Sequence, residues 1–192
     1  MRLFDISQEV LSCLVYPGDP KPEARQICAT EKGDLYNLTA FSMCAHNGTH
    51  VDAPFHFLPQ GKTVERIPLE RFVGECYLAR HTGDVAAEDA EAILAKADGV
   101  KRILLAGKLT VTEAAARVFA RSGIWLLGNE GQTVGPEAAP MAVHKILLDR
   151  EIVLLEGVVL SGIPQGRYLL NAAPLNLAGA DGAPCRAWLM ER

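Results

Sequence analysis

The chain has 192 residues, 49% apolar and 22% charged, the balance of an ordinary globular domain able to bury a core without disulfides or a structural metal. A net charge of −4 and no Lys/Arg block longer than two residues speak against nucleic acid and against an electrostatic grip on anionic membrane. No apolar run approaches the ~20 residues of a transmembrane helix, and Asp5 stands where a secretory leader would carry its apolar stretch, so a soluble, cytoplasmic protein is expected.

With no repeat, low-complexity tract or linker, residues 1–192 read as one domain. Residues 3–15 alternate loosely and end at Tyr16-Pro17-Gly18-Asp19-Pro20, a turn. Residues 35–44 read as a strand, with Leu35, Leu38, Phe41 and Met43 set among Thr and Ser. A helix is predicted over 84–97, its acidic first half suited to the dipole, and a short strand over 101–105. Thr110 and Glu113 read as a capping box opening a helix to about Arg121, where Gly123 stops it. Next come a strand at 124–127, a polar Gly-rich loop at 128–136 and a helix over 138–149, with Pro140 suggesting its start. A strand over 152–155 carries Glu156-Gly157 at its end, and strands at 168–173 and 185–190 enclose a Gly/Ala/Pro-rich loop. Helices alternating with strands in the middle and strands at both ends predict an α/β domain with a mixed sheet. The five cysteines are scattered and never form C-x-x-C, so they read as buried small hydrophobes in a reducing compartment. Cys44 stands apart because it lies two residues before the densest chemistry in the chain.

That chemistry is a matter of histidine placement. Three of the five histidines fall in His46-Asn47-Gly48-Thr49-His50-Val51-Asp52-Ala53-Pro54-Phe55-His56-Phe57. One loop histidine is ordinarily solvated, but three imidazoles and a carboxylate at positions 46, 50, 52 and 56 match the donor set of a divalent metal. A helical zinc-protease motif does not fit, because Asn47 replaces the general-base Glu and Gly48 and Pro54 oppose a helix. An extended segment does: His50 and Asp52 share one strand face, ~7 Å apart at Cα. His46 would lie ~13 Å from His50 on a straight strand, so Gly48 must bend the chain to bring it in. Pro54 then ends the strand and turns His56 beside the metal, as a proton-transfer group. Two distant residues can complete the site: Glu156, ending its strand, and His144, an ionisable group within an apolar helical stretch, costly unless paired or liganded. His81 reads as a plain turn residue.

At these residues the chain resembles the cyclase family of metal-dependent hydrolases, which includes bacterial kynurenine formamidase and isatin hydrolase. The family pattern H-x-G-T-H-x-D-x-P-x-H-F is matched at every fixed position from His46 to Phe57, and similarity extends to Tyr16-Pro17-Gly18-Asp19, to His144 with Glu156-Gly157, and to Pro174 through Pro184. The resemblance implies a swivelling β/β/α fold, a homo-oligomer (dimer or tetramer) and a divalent metal centre of one or two ions, Zn first and Mn second. It implies His46, His50, Asp52 and Glu156 on a first ion, and Asp52, His144 and Glu156 on a second. His56 matches the family's acid/base, and Tyr16 stands where the formamidases carry a substrate-facing Trp. Ile103 to Lys108 lacks an expected arginine, and Gly128 to Gln132 lacks the Asp-Thr pair of formamidases, so the substrate side departs while the metal positions hold. The expected function is metal-dependent hydrolysis of an amide, formamide or cyclic amide C–N bond in a small molecule. The alternatives are a non-catalytic small-molecule or metal binder and a metal-dependent lyase or cyclase acting on a carbonyl substrate.

Overall fold

The computed structural model describes residues 1–191. Near the N-terminus only β1 (Leu3–Asp5) is a strand; the loosely alternating residues that follow run as turns. β2 (Glu23–Cys28) and β3 (Leu38–Ser42) pair only with each other, an antiparallel hairpin standing off the main sheet. β3 falls inside the strand predicted at 35–44, whereas β2 has no alternation to announce it. β4 (His50–Asp52) is buried throughout, and Pro54 ends it by opening a 3-10 turn, Pro54–His56.

The centre of the chain is a run of parallel crossovers. It begins with β5 (Val73–Arg80), β6 (Gly83–Val85), α1 (Ala87–Ala97) and β7 (Arg102–Ala106), and α1 is held at its start by Asp89 accepting from the Ala86 amide at 2.9 Å. β8 (Leu109–Val111) then pairs with β6, which pulls Thr110 into a strand. The cap of α2 (Glu113–Arg121) is therefore Thr112 rather than Thr110, its hydroxyl accepting from the Ala115 amide at 3.2 Å. β9 (Leu126–Asn129), α3 (Met141–Leu148) and β10 (Val153–Glu156) follow, each within a few residues of its predicted span. β5, β7, β9 and β10 lie side by side and parallel, and the three helices cover one face of them. Small residues on the helices, Ala90, Ala97, Ala115 and Ala116, allow close approach to Ile103, Leu105, Leu127 and Leu154 of the sheet.

β11 (Gly166–Asn171), β12 (Gly182–Pro184) and β13 (Trp188–Met190) complete a nine-stranded mixed sheet in the order β1-β13-β11-β5-β7-β9-β10-β4-β12. The order forces the sheet to curl. β13 and β12 stand seven strand positions apart, yet only residues 185–187 join them. Seven flat spacings amount to ~34 Å, and the four Cα steps of that link reach at most ~15 Å. The curled interior holds Val51, Leu78, Leu104, Val153, Leu155, Leu170 and Leu189. Two sequence expectations need correction. The Gly/Ala/Pro loop contains β12, which pairs with β4, and Cys76 alone of the five cysteines is fully buried, the others being half-buried.

Candidate metal centre

β4 lies between β10 and β12, with Glu156 directly across from His50 and Leu154 across from Asp52. Cross-strand partners share a face, so His50, Asp52 and Glu156 point the same way as Leu154, toward the helices. α3 closes that side: His144 shares its buried face with Leu147 and Leu148, at helical spacings of three and four. Gly48, at φ +65°, makes the bend that returns His46 to the cluster. Segments near residues 50, 144 and 156 thus converge, and Asp52 is 1%, His50 2%, His144 3% and Glu156 3% exposed.

Backbone carbonyls orient two of the rings. His50 Nδ1 lies 2.9 Å from the Gly48 carbonyl, which turns Nε2 toward Asp52 Oδ1 and Glu156 Oε2, each at 3.5 Å. His144 Nδ1 lies 2.9 Å from the Pro140 carbonyl, and its Nε2 faces Asp52 Oδ2 at 3.4 Å and Glu156 Oε1 at 3.2 Å. An Nδ1–H given to a carbonyl leaves Nε2 as the coordinating nitrogen, the usual support of a metal-bound histidine. His46 Nδ1 is 2.9 Å from Asp52 Oδ1, and Glu156 Oε1 accepts the Val134 amide at 2.8 Å.

The electrostatics ask for positive charge. Burial pushes the His50 and His144 rings toward neutrality, yet the adjacent carboxylates of Asp52 and Glu156 hold both up at about 10. His46, opposed by burial in the same way, is held at about 9 by Asp181 and Asp52. Burial would raise the Asp52 carboxyl, but His144, His46 and His50 keep it well below the usual carboxylate range. A divalent ion answers the same demand, and one oxygen has room for it: Asp52 Oδ2 is buried and makes no hydrogen bond. Ligand atoms of His50, Asp52 and Glu156 lie within 4.8 Å of one another, as do those of His46, Asp52 and His56. Asp52 belongs to both sets, and mixed imidazole and carboxylate donors suit a borderline divalent metal.

Tyr16, His46, His50, His56, His144 and Glu156 line one cavity of about 240 Å³, with Asp52 behind them. His56 stands beside the cluster, its ring centroid 4.1 Å from that of His46 and 6.2 Å from that of His144. Phe57 walls the same space, 4.8 Å from the His144 ring. The Tyr16 hydroxyl donates to the Glu137 carbonyl at 2.8 Å, so the tyrosine bridges the cavity mouth to the 128–140 segment. Cys44 lies nearby, its Sγ 3.8 Å from Asp19 Oδ2, and His81 sits in its turn, Nε2 3.1 Å from the Asp84 carbonyl.

Sequence reasoning missed one residue at this site. Asp181 Oδ2 lies 2.9 Å from His46 Nε2 and 3.0 Å from His56 Nδ1, and those two hydrogen bonds hold its carboxyl below the usual range. A signal existed, since Asp181 is the only charged residue between Arg167 and Arg186.

Residues 4–155 match the profile of the Cyclase family, described as "Putative cyclase". The chain belongs to the cyclase family. It is 34% identical to a kynurenine formamidase of Salinibacter ruber over 100% of this chain and 98% of that protein. A solved structure described as a "predicted metal-dependent hydrolase from Bacillus stearothermophilus" is 28% identical, with a TM-score of 0.81 over 100% of this chain and 98% of the other. Isatin hydrolase A from Labrenzia aggregata, 20% identical, shares the fold at a TM-score of 0.83 over 98% and 93% of the two chains. The mixed α/β architecture, with its curled sheet and three helices among the described residues, is thus the cyclase-family fold.

Proposed function

We infer that this chain is a metal-dependent hydrolase that cleaves the C–N bond of an amide, a formamide of the arylformamidase type, or a cyclic amide in a small molecule. One observation carries the reading. Two buried carboxylates and three imidazoles from distant segments gather around Asp52, whose Oδ2 is buried with no hydrogen-bond partner among the described residues, beside a small cavity. The named relatives, a kynurenine formamidase and metal-dependent hydrolases, support the reaction class.

His46, His50, Asp52, His144 and Glu156 would hold the metal, one or two ions, with zinc the first candidate and manganese the second. The chemistry a divalent ion would supply there is a more acidic water and polarisation of a carbonyl oxygen. The carboxylates of Asp52 and Glu156 balance its charge. His56 would move a proton to the leaving nitrogen, imidazole being the side chain that can both give and take a proton near neutral pH. Tyr16 and Phe57 present ring surface to the substrate, and the cavity of about 240 Å³ suits one aromatic ring with its carbonyl arm. Water adds across the C–N bond, giving an acid (formate, from a formamide) and an amine.

The whole of 1–192 acts as one domain, in the cytoplasm, where the free cysteines stay reduced. It assembles as a homo-oligomer, a dimer or tetramer. The support is the β2–β3 hairpin, which carries Leu35, Tyr36, Leu38 and Phe41 in the open. Chelator treatment followed by a panel of formamides, lactams and esters tests the function. Turnover that disappears on chelation and returns with zinc or manganese is expected. Turnover indifferent to chelation, or none from metal-loaded protein, rejects the reading. In ¹⁸O-labelled water the acid product should carry the label, which a lyase or cyclase product would not.

A further inference from the structure

We propose that Asp181 is the positioning residue for His56: its carboxylate accepts the Nδ1 proton, fixes the tautomer and leaves Nε2 to the cavity. The proposal rests on the hydrolase reading, in which His56 handles the proton. His56 Nδ1 lies 3.0 Å from Asp181 Oδ2, and among the described residues no protein group is hydrogen-bonded to His56 Nε2. An imidazole can work at one nitrogen as acid and base only if the other is committed as a donor; a carboxylate at Nδ1 makes that commitment and holds the ring plane.

The backbone is built to hold this pair in register. The Ala53 amide donates to the Asp181 carbonyl at 2.9 Å, and the His56 amide donates to the Ala53 carbonyl at 2.9 Å, so both side chains hang from one peptide neighbourhood. The Val64 amide, donating to the Ala180 carbonyl at 2.9 Å, pins the approach from the other side. Gly182 then lets the strand pass tightly: a Cβ there would come 2.5 Å from the Val51 carbonyl oxygen and 2.8 Å from His46 Cε1. With any larger residue at 182, β12 would be pushed from β4 and the Asp181 carboxylate withdrawn from the rings.

The same oxygen also accepts from His46 Nε2, at 2.9 Å, so Asp181 braces a candidate ligand and the proton carrier together. Its side chain is 40% exposed, which leaves its charge open to solvent screening and makes geometry the chief contribution. The carboxylate touches neither the cavity's substrate space nor the reacting atoms; it acts through His56.

The test uses the metal-loaded protein and formanilide or isatin as probe, with Asp181→Ala, Asp181→Asn, His56→Ala and the His56→Ala/Asp181→Ala pair. At saturating metal, Asp181→Ala should lower kcat ~10–100-fold, the usual effect of removing such an outer carboxylate, with KM and metal stoichiometry unchanged. Asp181→Asn, which keeps the shape but whose amide can donate to Nδ1 and hold the wrong tautomer, should not recover that loss. In the His56→Ala background, removing Asp181 should cost less than about threefold, because two groups acting as one unit are not additive. An unchanged kcat in Asp181→Ala, or an undiminished loss without His56, overturns the proposal. If Asp181→Ala fails to fold, the same cycle with Asp181→Asn decides, full additivity overturning it. A wild type inert toward both probes overturns the hydrolase reading itself, whereas a His56→Ala variant as fast as wild type overturns the role of His56 and this proposal with it.

Discussion

Around Asp52, ionisable side chains are withdrawn from water; on the β2–β3 hairpin, large apolar ones are left in it. Asp52 and His50 are 1% and 2% exposed, whereas Leu35 and Phe41 are 97% and 62% exposed. Both regions run against the ordinary partition of residues, and in opposite senses. Buried carboxylates and imidazoles are costly unless something charged completes them, so the centre is shaped for a cation. Exposed apolar side chains gathered on one element commonly mark an interaction surface, so the hairpin is where the proposed oligomer can be tested. Each anomaly is local, and each can be probed without disturbing the other.

The difference can be tested by disturbing one region and reading the other. Replacing Asp52 by Ala should have the largest consequence: bound metal and turnover vanish together, while the oligomeric state stays as in wild type. Elemental analysis showing wild-type metal content in that variant would contradict the assignment. Next, His56→Ala should retain the metal and slow turnover ~10²–10⁴-fold in steady-state kinetics, the range of one acid/base group. Undiminished rate would remove His56 from the chemistry.

Leu38→Lys combined with Phe41→Lys addresses the hairpin. Each apolar side chain buried at an interface contributes ~1.5–3 kcal/mol, so subunit dissociation constants should rise ~10²-fold or more. Light scattering or sedimentation would read this, with metal content unaltered. An assembly that ignores both lysines would place the interface elsewhere.

The smallest effect concerns pH in metal-stripped protein. His46 is held at about 9, and His50 and His144 at about 10, against ~6.5 for the unfolded chain. The folded state therefore binds more protons across that window, and stability falls as pH rises from about 6.5 to 10. The melting temperature should drop by several degrees over that range, and added metal should flatten the dependence. A flat profile without metal would mean that the carboxylates do not hold protons on the rings.

Much of the candidate centre could be read from the chain because its residues stand out by type and spacing. His46, His50, Asp52 and His56 crowd one short segment, and His144 interrupts an apolar helix that has no use for a charge. The helices and the parallel strands β7, β9 and β10 were legible too, whereas β5, in the middle of the sheet, was not anticipated. β12 was not: Gly182-Ala183-Pro184 has no strand propensity and becomes one only by pairing with β4. Asp181 was hidden with it. The cap of α2 was misjudged by two residues because pairing of β8 with β6 outweighs a local capping signal at Thr110.

From sequence alone came the clustered imidazoles and carboxylates and the alternating elements that carry them, since these depend on side-chain type and short-range periodicity, while the expected reaction class came from the family resemblance. Tertiary structure decided which carboxylate meets which imidazole. Those pairings arise where the curled sheet sets β4 between β10 and β12 and α3 closes over it, contacts between segments about ninety residues or more apart that no local pattern encodes.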